Sequence, residues 1–313
     1  MTGYWPGVAS ESHKTVYVAL ASNAGIGIAK LAGGLISGSS AMLAEAAHSA
    51  ADTTNQLLLL ASLNLAERPA DEQHPFGYGK ERFFWSFLAA VSIFVSGALF
   101  SVYEGIGRIL HGGKDGDVGI AFAVLALGLV LEGSSLIRAA RQTEGEAQDR
   151  RRSFTDHLRV TRDPAVKTVV FEDSAAVIGL LLAAAGLGLT ALTGDAVFDG
   201  AASIAIGLLL AVVAFTLGRD TKGLLIGEGA LPEEREAIDR VFGEHPGVDS
   251  VEELLTMALG PASLLVAARL DFVPELDSNA VEEAADELEH QLREAVPEIT
   301  EVFLDPTRRG TRA

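Results

Sequence analysis

His48 and Asp52 stand four residues apart in "MLAEAAHSAADTTNQLLLLAS", an alanine- and leucine-rich run from Met42 to Ser62. On a helix that spacing puts imidazole and carboxylate on one face, a single turn apart. Asn55, seven residues past His48, continues the stripe, and Glu45 lies near it. Ala44, Ala47, Ala50 and Ala51 surround them, and such small residues let helices approach closely. An ionisable pair at bilayer depth costs several kcal/mol unless it is partnered or faces water. Imidazole with carboxylate is a ligand set for zinc or a similar divalent ion. The plainer alternative is a buried His–Asp pair that only joins two helices.

A second run, "VVFEDSAAVIGLL", supplies more acid. Glu172 and Asp173 are adjacent in an apolar stretch, with Lys167 the last basic residue before them. Asp173 lies 9 residues past Pro164 and His48 lies 9 past Ser39, so each enters its helix to a similar depth from opposite ends. At 1.5 Å per residue both reach roughly 13–14 Å, the middle of a ~30 Å hydrocarbon core. One imidazole and two or three carboxylates converging there make a tetrahedral cation site, with the choice between Glu172 and Asp173 left open.

The elements that must hold these residues follow from hydropathy. Of 313 residues 49% are hydrophobic, and the excess collects in blocks of about 20, the length of a membrane-crossing helix. Six such segments run over residues 17–36, 41–65, 83–103, 118–137, 165–192 and 200–217. The start of the chain lacks the pattern of a secretory signal, so uncleaved spans are expected. There is no cysteine, which excludes disulfides and thiolate metal sites. The links between segments two and three and between four and five carry the positive charge, including Arg68, Lys80, Arg82, Arg138, Arg141 and Arg150–Arg152. The positive-inside rule then places both termini in the cytoplasm.

From Asp220 onward lie 22 of the 42 acids but 8 of the 24 basic residues, a balance that argues against nucleic acid as a partner. Pro232 to Glu244 and Asn279 to Ala295 read as amphipathic helices, the second with Asn279 and Glu282 spaced as a capping box. Val248 to Ala258, Leu264 to Val273 and Ile299 to Leu304 read as strands, the first two joined at Gly260-Pro261. The expected organisation is a cytoplasmic segment 1–15, a six-helix transmembrane bundle 16–218 and a cytoplasmic α+β domain 219–313 of order α-β-β-α-β. His245 and His290 read as surface residues.

H-x-x-x-D in the second span, six spans and an acidic α+β tail resemble the cation diffusion facilitators, the zinc-exporter family. "HPFGYGK", His74 to Lys80 at the entry to span three, strengthens the resemblance. It covers nearly the whole chain and implies an antiporter, not an enzyme, that exports Zn2+ in exchange for protons; Mn2+, Fe2+, Co2+ and Cd2+ are alternative cargoes. It also implies a homodimer formed through the transmembrane and tail domains, a ferredoxin- or metallochaperone-like tail, and a bacterial inner membrane as host. His48, Asp52, Asp173 and Glu172 would form the transport site, with Asn55 and Glu45 as weaker members.

There are departures from the family pattern. Most relatives carry H-x-x-x-D in span five, where aligning Asp173 leaves Val169 at the histidine position and Glu172 either as the replacement ligand or as a neighbour pointing about 100° away. The "EDSAA" form resembles the branch that includes mitochondrial zinc exporters. A second metal series between spans two and three keeps Asp71 and His74, but Tyr78 takes its last position. The tail offers Glu252 and Asp305 where relatives have metal ligands, and the resemblance pairs Lys80 with an acid such as Asp220. An intramembrane metallohydrolase would need H-E-x-x-H or a comparable base, and none is present. A membrane-anchored metal sensor would need ligands in the tail, which is poor in histidine.

Overall fold

The computed structural model describes residues 12–112 and 117–307; residues 1–11 of the expected N-terminal segment lie outside them. The described chain forms two compact units, one of residues up to Asn64 with Phe84–Thr221, the other of Leu65–Phe83 with the residues from Lys222 on. The link between the second and third long helices therefore belongs to the same unit as the tail.

The first unit is helical: α1 (Ser12–Ser37), α2 (Ser40–Ala66), α3 (Glu81–His111), α4 (Val118–Asp149), the short α5 (Phe154–Val160), α6 (Pro164–Thr193) and α7 (Val197–Ile226). Local signals set the ends. Asp117 caps α4 by accepting from the Gly119 and Ile120 amides, and Asp163 caps α6 from the Ala165 amide with Pro164 in the first turn. Gly194, at φ +74°, ends α6 in the left-handed conformation. Within α3, Ile93–Leu99 widens into a π-helical turn.

Four of these helices, α3, α4, α6 and α7, are long and apolar enough to cross a membrane. The expected count of six is thus met by four on that measure. The helices α1 and α2 have 26 and 27 residues, ample length for a span. The Glu45–Asn55 stripe lowers the apolarity of α2, and α1 carries one buried charge, Lys30.

One end of the unit is drawn together by Asp199. This fully buried carboxylate accepts from the Ser39 and Ser40 hydroxyls and the Ser40 amide, and Arg108 Nε lies 3.3 Å from it. It gathers α3 and the start of α7 around the N-terminus of α2, where a carboxylate is favoured by the unpaired amides. Asp220 pairs with Lys167 at 3.0 Å, and Lys80 Nζ lies 3.7 Å from Met257 Sδ.

The second unit holds α8 (Pro232–Glu244), β1 (Val248–Gly260), β2 (Ser263–Phe272), α9 (Ser278–Ala295) and β3 (Ile299–Pro306). β1 and β2 pair antiparallel, β2 and β3 parallel, in the order β1-β2-β3. Alternate residues Leu264, Val266, Ala268 and Leu270 of β2 face Ile238 and Phe242 of α8 and Leu288 and Leu292 of α9, the period of two meeting the period of 3.6. Asp277, rather than Asn279, caps α9 by accepting from the Ala280 amide. His245 is buried, not superficial: its Nδ1 accepts from the Gly247 amide and closes the end of α8.

The "HPFGYGK" stretch belongs to this unit. Gly77 adopts φ +76°, which a side chain disfavours. Gly79 packs against Leu259 and Gly260 at the hairpin, where a Cβ would strike the Leu259 carbonyl. Two glycines of the motif thus serve its docking on the strand pair.

Candidate metal site

The stripe expected on α2 is present and faces inward: Glu45, His48, Asp52 and Asn55 are all buried. The His48 Nδ1 to Asp52 Oδ1 distance is 3.4 Å, so the pair is adjacent without a formed hydrogen bond. Across from it on α6, Glu172 is 7% exposed, and Asn55 Nδ2 donates to its Oε2 at 2.6 Å. That bond shows that α2 and α6 turn these faces to one another.

The two acids of α6 differ. Glu172 points at α2. Asp173 is half-buried, accepts from the Ser135 side chain of α4, and sits one turn after Val169, which is 39% exposed. Adjacent helical residues point about 100° apart, so only one of the pair continues the α2 stripe, and it is Glu172.

Several polar atoms here have no hydrogen-bond partner although they are buried: both ring nitrogens of His48, Asp52 Oδ1, Asn55 Oδ1, Glu172 Oε1 and Asp173 Oδ2. Leaving such atoms unpaired costs about 1–3 kcal/mol each. As they stand, among the described residues, no three His, Asp or Glu side chains are close enough to hold one ion.

A second charged group adjoins the stripe, and the sequence reading passed over it. Lys30 of α1 is fully buried and pairs with Glu45 at 3.1 Å and with Glu132 of α4 at 3.4 Å; it also donates to Ser49 Oγ at 3.0 Å. Glu45 is thereby engaged by the ammonium. The signal was available, since a lone lysine and a lone glutamate in apolar spans meet the criterion that singled out His48.

Between α2 and α3, Asp71 and His74 do come together, with Nδ1 3.6 Å from Oδ1, but both are half exposed. The Tyr78 hydroxyl donates to Asp71 at 2.7 Å, and this bond leads in holding the Asp71 carboxyl below its ordinary range. Tyr78 therefore uses the carboxylate instead of extending a ligand series. In the tail, Asp305 accepts from Arg269 and Glu252 from Ser250.

The model of the cation efflux transmembrane domain matches residues 16–226, and that of the cation efflux protein cytoplasmic domain matches residues 230–305. The chain belongs to the cation efflux family. Among curated cation efflux relatives, the mitochondrial proton-coupled zinc antiporter SLC30A9 of Mus musculus is 32% identical over 295 residues, 93% of this chain and 52% of its own length. Metal tolerance protein C4 of Arabidopsis thaliana is 33% identical over 236 residues, 75% of this chain and 52% of its own. The metal cation efflux system protein CzcD of Cupriavidus metallidurans is 27% identical over 259 residues, 82% and 75%. This cation efflux chain spans about half the length of the SLC30A9 and C4 relatives. None of these names is that of an enzyme, and the chain is an integral, multi-pass membrane protein of a transporter family whose tail matches a cytoplasmic domain model.

Proposed function

We propose that this chain exports a divalent transition metal, zinc in the first place, from the cytoplasm in exchange for protons. The observation that carries the reading is the set of buried, unpaired donor atoms on His48 and Asp52 of α2 and on Glu172 of α6, which Asn55 of α2 contacts. Imidazole and carboxylate together suit zinc, and in a less selective way manganese, iron, cobalt and cadmium; magnesium and calcium prefer oxygen alone. His48, Asp52 and Glu172 are the ligands in this reading. Asn55 orients Glu172, and Asp173 is an outer acid on the path to it. Asp71 and His74 are left out of the metal's path.

Metal needs a neutral imidazole and ionised carboxylates, so binding releases protons and protons expel metal. Glycines of α1 make the movement of helices feasible: Gly33 and Gly34 lie against Met42 and Leu43 of α2, a close approach that permits sliding. In this reading α1 and α2 join the four apolar helices as spans, and the basic links keep both termini in the cytoplasm. The cytoplasmic domain unites two copies. The names of the relatives support zinc and proton coupling, and also a mitochondrial host membrane beside the bacterial one inferred from sequence.

The test is transport by the purified full chain in proteoliposomes. An imposed pH gradient is expected to drive zinc uptake well above that of protein-free vesicles, and a protonophore to abolish the difference. Uptake equal to that of protein-free vesicles would overturn the reading.

A further inference from the structure

The Lys30 group lies beside the proposed ligands without containing them. Its three charged members come from three helices, α1, α2 and α4, and Lys30 and Glu45 are both at 0% exposure. Room for them is built in by glycine. Gly128 of α4 faces the Lys30 stem, and a Cβ at Gly179 of α6 would collide with Glu45 Oε1. Glu45 Oε1 has no hydrogen-bond partner, so this carboxylate is held by the ammonium through one oxygen only.

Glu132 is the shared member. It is held by Lys30 at the longer of the two distances and also acts electrostatically on Asp52, Glu172 and Asp173. Lys30 itself acts on His48 and Asp52. The charge of the lysine is therefore felt at the proposed ligands through a medium that screens poorly.

We propose that Lys30 is a tethered countercation of the transport site: its ammonium, shared between Glu45 and Glu132, offsets the surrounding carboxylates and keeps metal affinity low enough for release. A site of several buried carboxylates with no cation of its own would hold a divalent ion too firmly to turn over, since transport requires leaving as well as binding. Lys30 supplies one positive charge that never departs. As metal enters, Glu132 turns toward Asp52 and Glu172; as metal leaves, it returns to Lys30. This role rests on the zinc-transport reading above and adds residues to it.

Two substitutions separate the proposal from a packing role, because they move affinity in opposite directions. Zinc binding would be measured by calorimetry on the full chain in detergent at one fixed pH, for wild type, Lys30→Met, Lys30→Arg, Glu132→Gln and Lys30→Met/Glu132→Gln. Lys30→Met is expected to bind zinc about tenfold more tightly, and Glu132→Gln about tenfold more weakly, from the change of one nearby charge. Lys30→Arg keeps the charge and stays within about threefold of wild type, as does the charge-balanced double variant. In proteoliposomes Lys30→Met transports more slowly at saturating zinc, because release is retarded.

Removing one partner of a buried ion pair strongly destabilises a fold. If Lys30→Met does not fold, the decision passes to Glu132→Gln, which leaves Lys30 paired with Glu45. Affinity lowered or unchanged in Lys30→Met, or unchanged in Glu132→Gln, while wild type binds zinc, overturns the countercation and leaves the transport reading intact. No zinc binding by wild type overturns both.

Discussion

Replacing His48 and Asp52 together with alanine is expected to weaken zinc binding by at least about a hundredfold and to bring uptake to the level of protein-free vesicles. Two of the three donors in the proposed shell vanish, and they are the ones that a single helix aligns by the i, i+4 rule. The double variant is also expected to fold. His48 and Asp52 Oδ1 make no hydrogen bond that would be lost, and alanine continues the small-residue surface of Ala44, Ala47 and Ala51 along α2. Stability at or above that of wild type, measured by thermal unfolding in detergent, would mark the two residues as retained for binding rather than for the fold. A loss of about 3 kcal/mol or more would favour the plainer reading of a structural pair.

The second large effect lies on α6, where two adjacent acids compete for one role. Glu172→Gln is expected to lower zinc affinity by about tenfold or more, and Asp173→Asn by less than about threefold. Two unit charges 4 Å apart at an effective dielectric of 20 attract by about 4 kcal/mol, half of which already exceeds the ~1.4 kcal/mol of a tenfold change. Glutamine keeps the oxygen that accepts from Asn55, so its effect reports charge and not a lost contact. Asp173 instead faces Ser135 and is half-buried. The reverse ranking in parallel titrations would restore Asp173 as the ligand and make Glu172 a neighbour.

This choice shows where the sequence was legible. The H-x-x-x-D stripe and the α-β-β-α-β order of the tail were both present in residue types and spacing. They rest on helix and strand periods that tertiary structure does not alter. Choosing between Glu172 and Asp173 was not possible, because adjacent helical residues differ by about 100° and only the rotation of α6 decides which faces α2. Aligning Asp173 on H-x-x-x-D left Val169, an exposed residue, at the histidine position.

Other misreadings share a cause. His245 looked like a surface residue because it follows a charged helix, yet the turn back into β1 buries it against Gly247. Asn279 and Glu282 had the spacing of a capping box, but Asp277 lay close enough to cap the helix first. Hydropathy gave six spans; four helices are long and apolar enough to cross a membrane among the residues described, and α2 is set apart from them by its Glu45–Asn55 stripe.

The central claim is that one metal ion sits between α2 and α6, held by His48, Asp52 and Glu172. Anomalous scattering at the zinc edge from zinc-soaked crystals of the full chain tests it most directly. The expected result is a single strong peak about 2.0–2.2 Å from one His48 nitrogen and from oxygens of Asp52 and Glu172. Strong zinc peaks elsewhere in the molecule, with none between these three side chains, would contradict it.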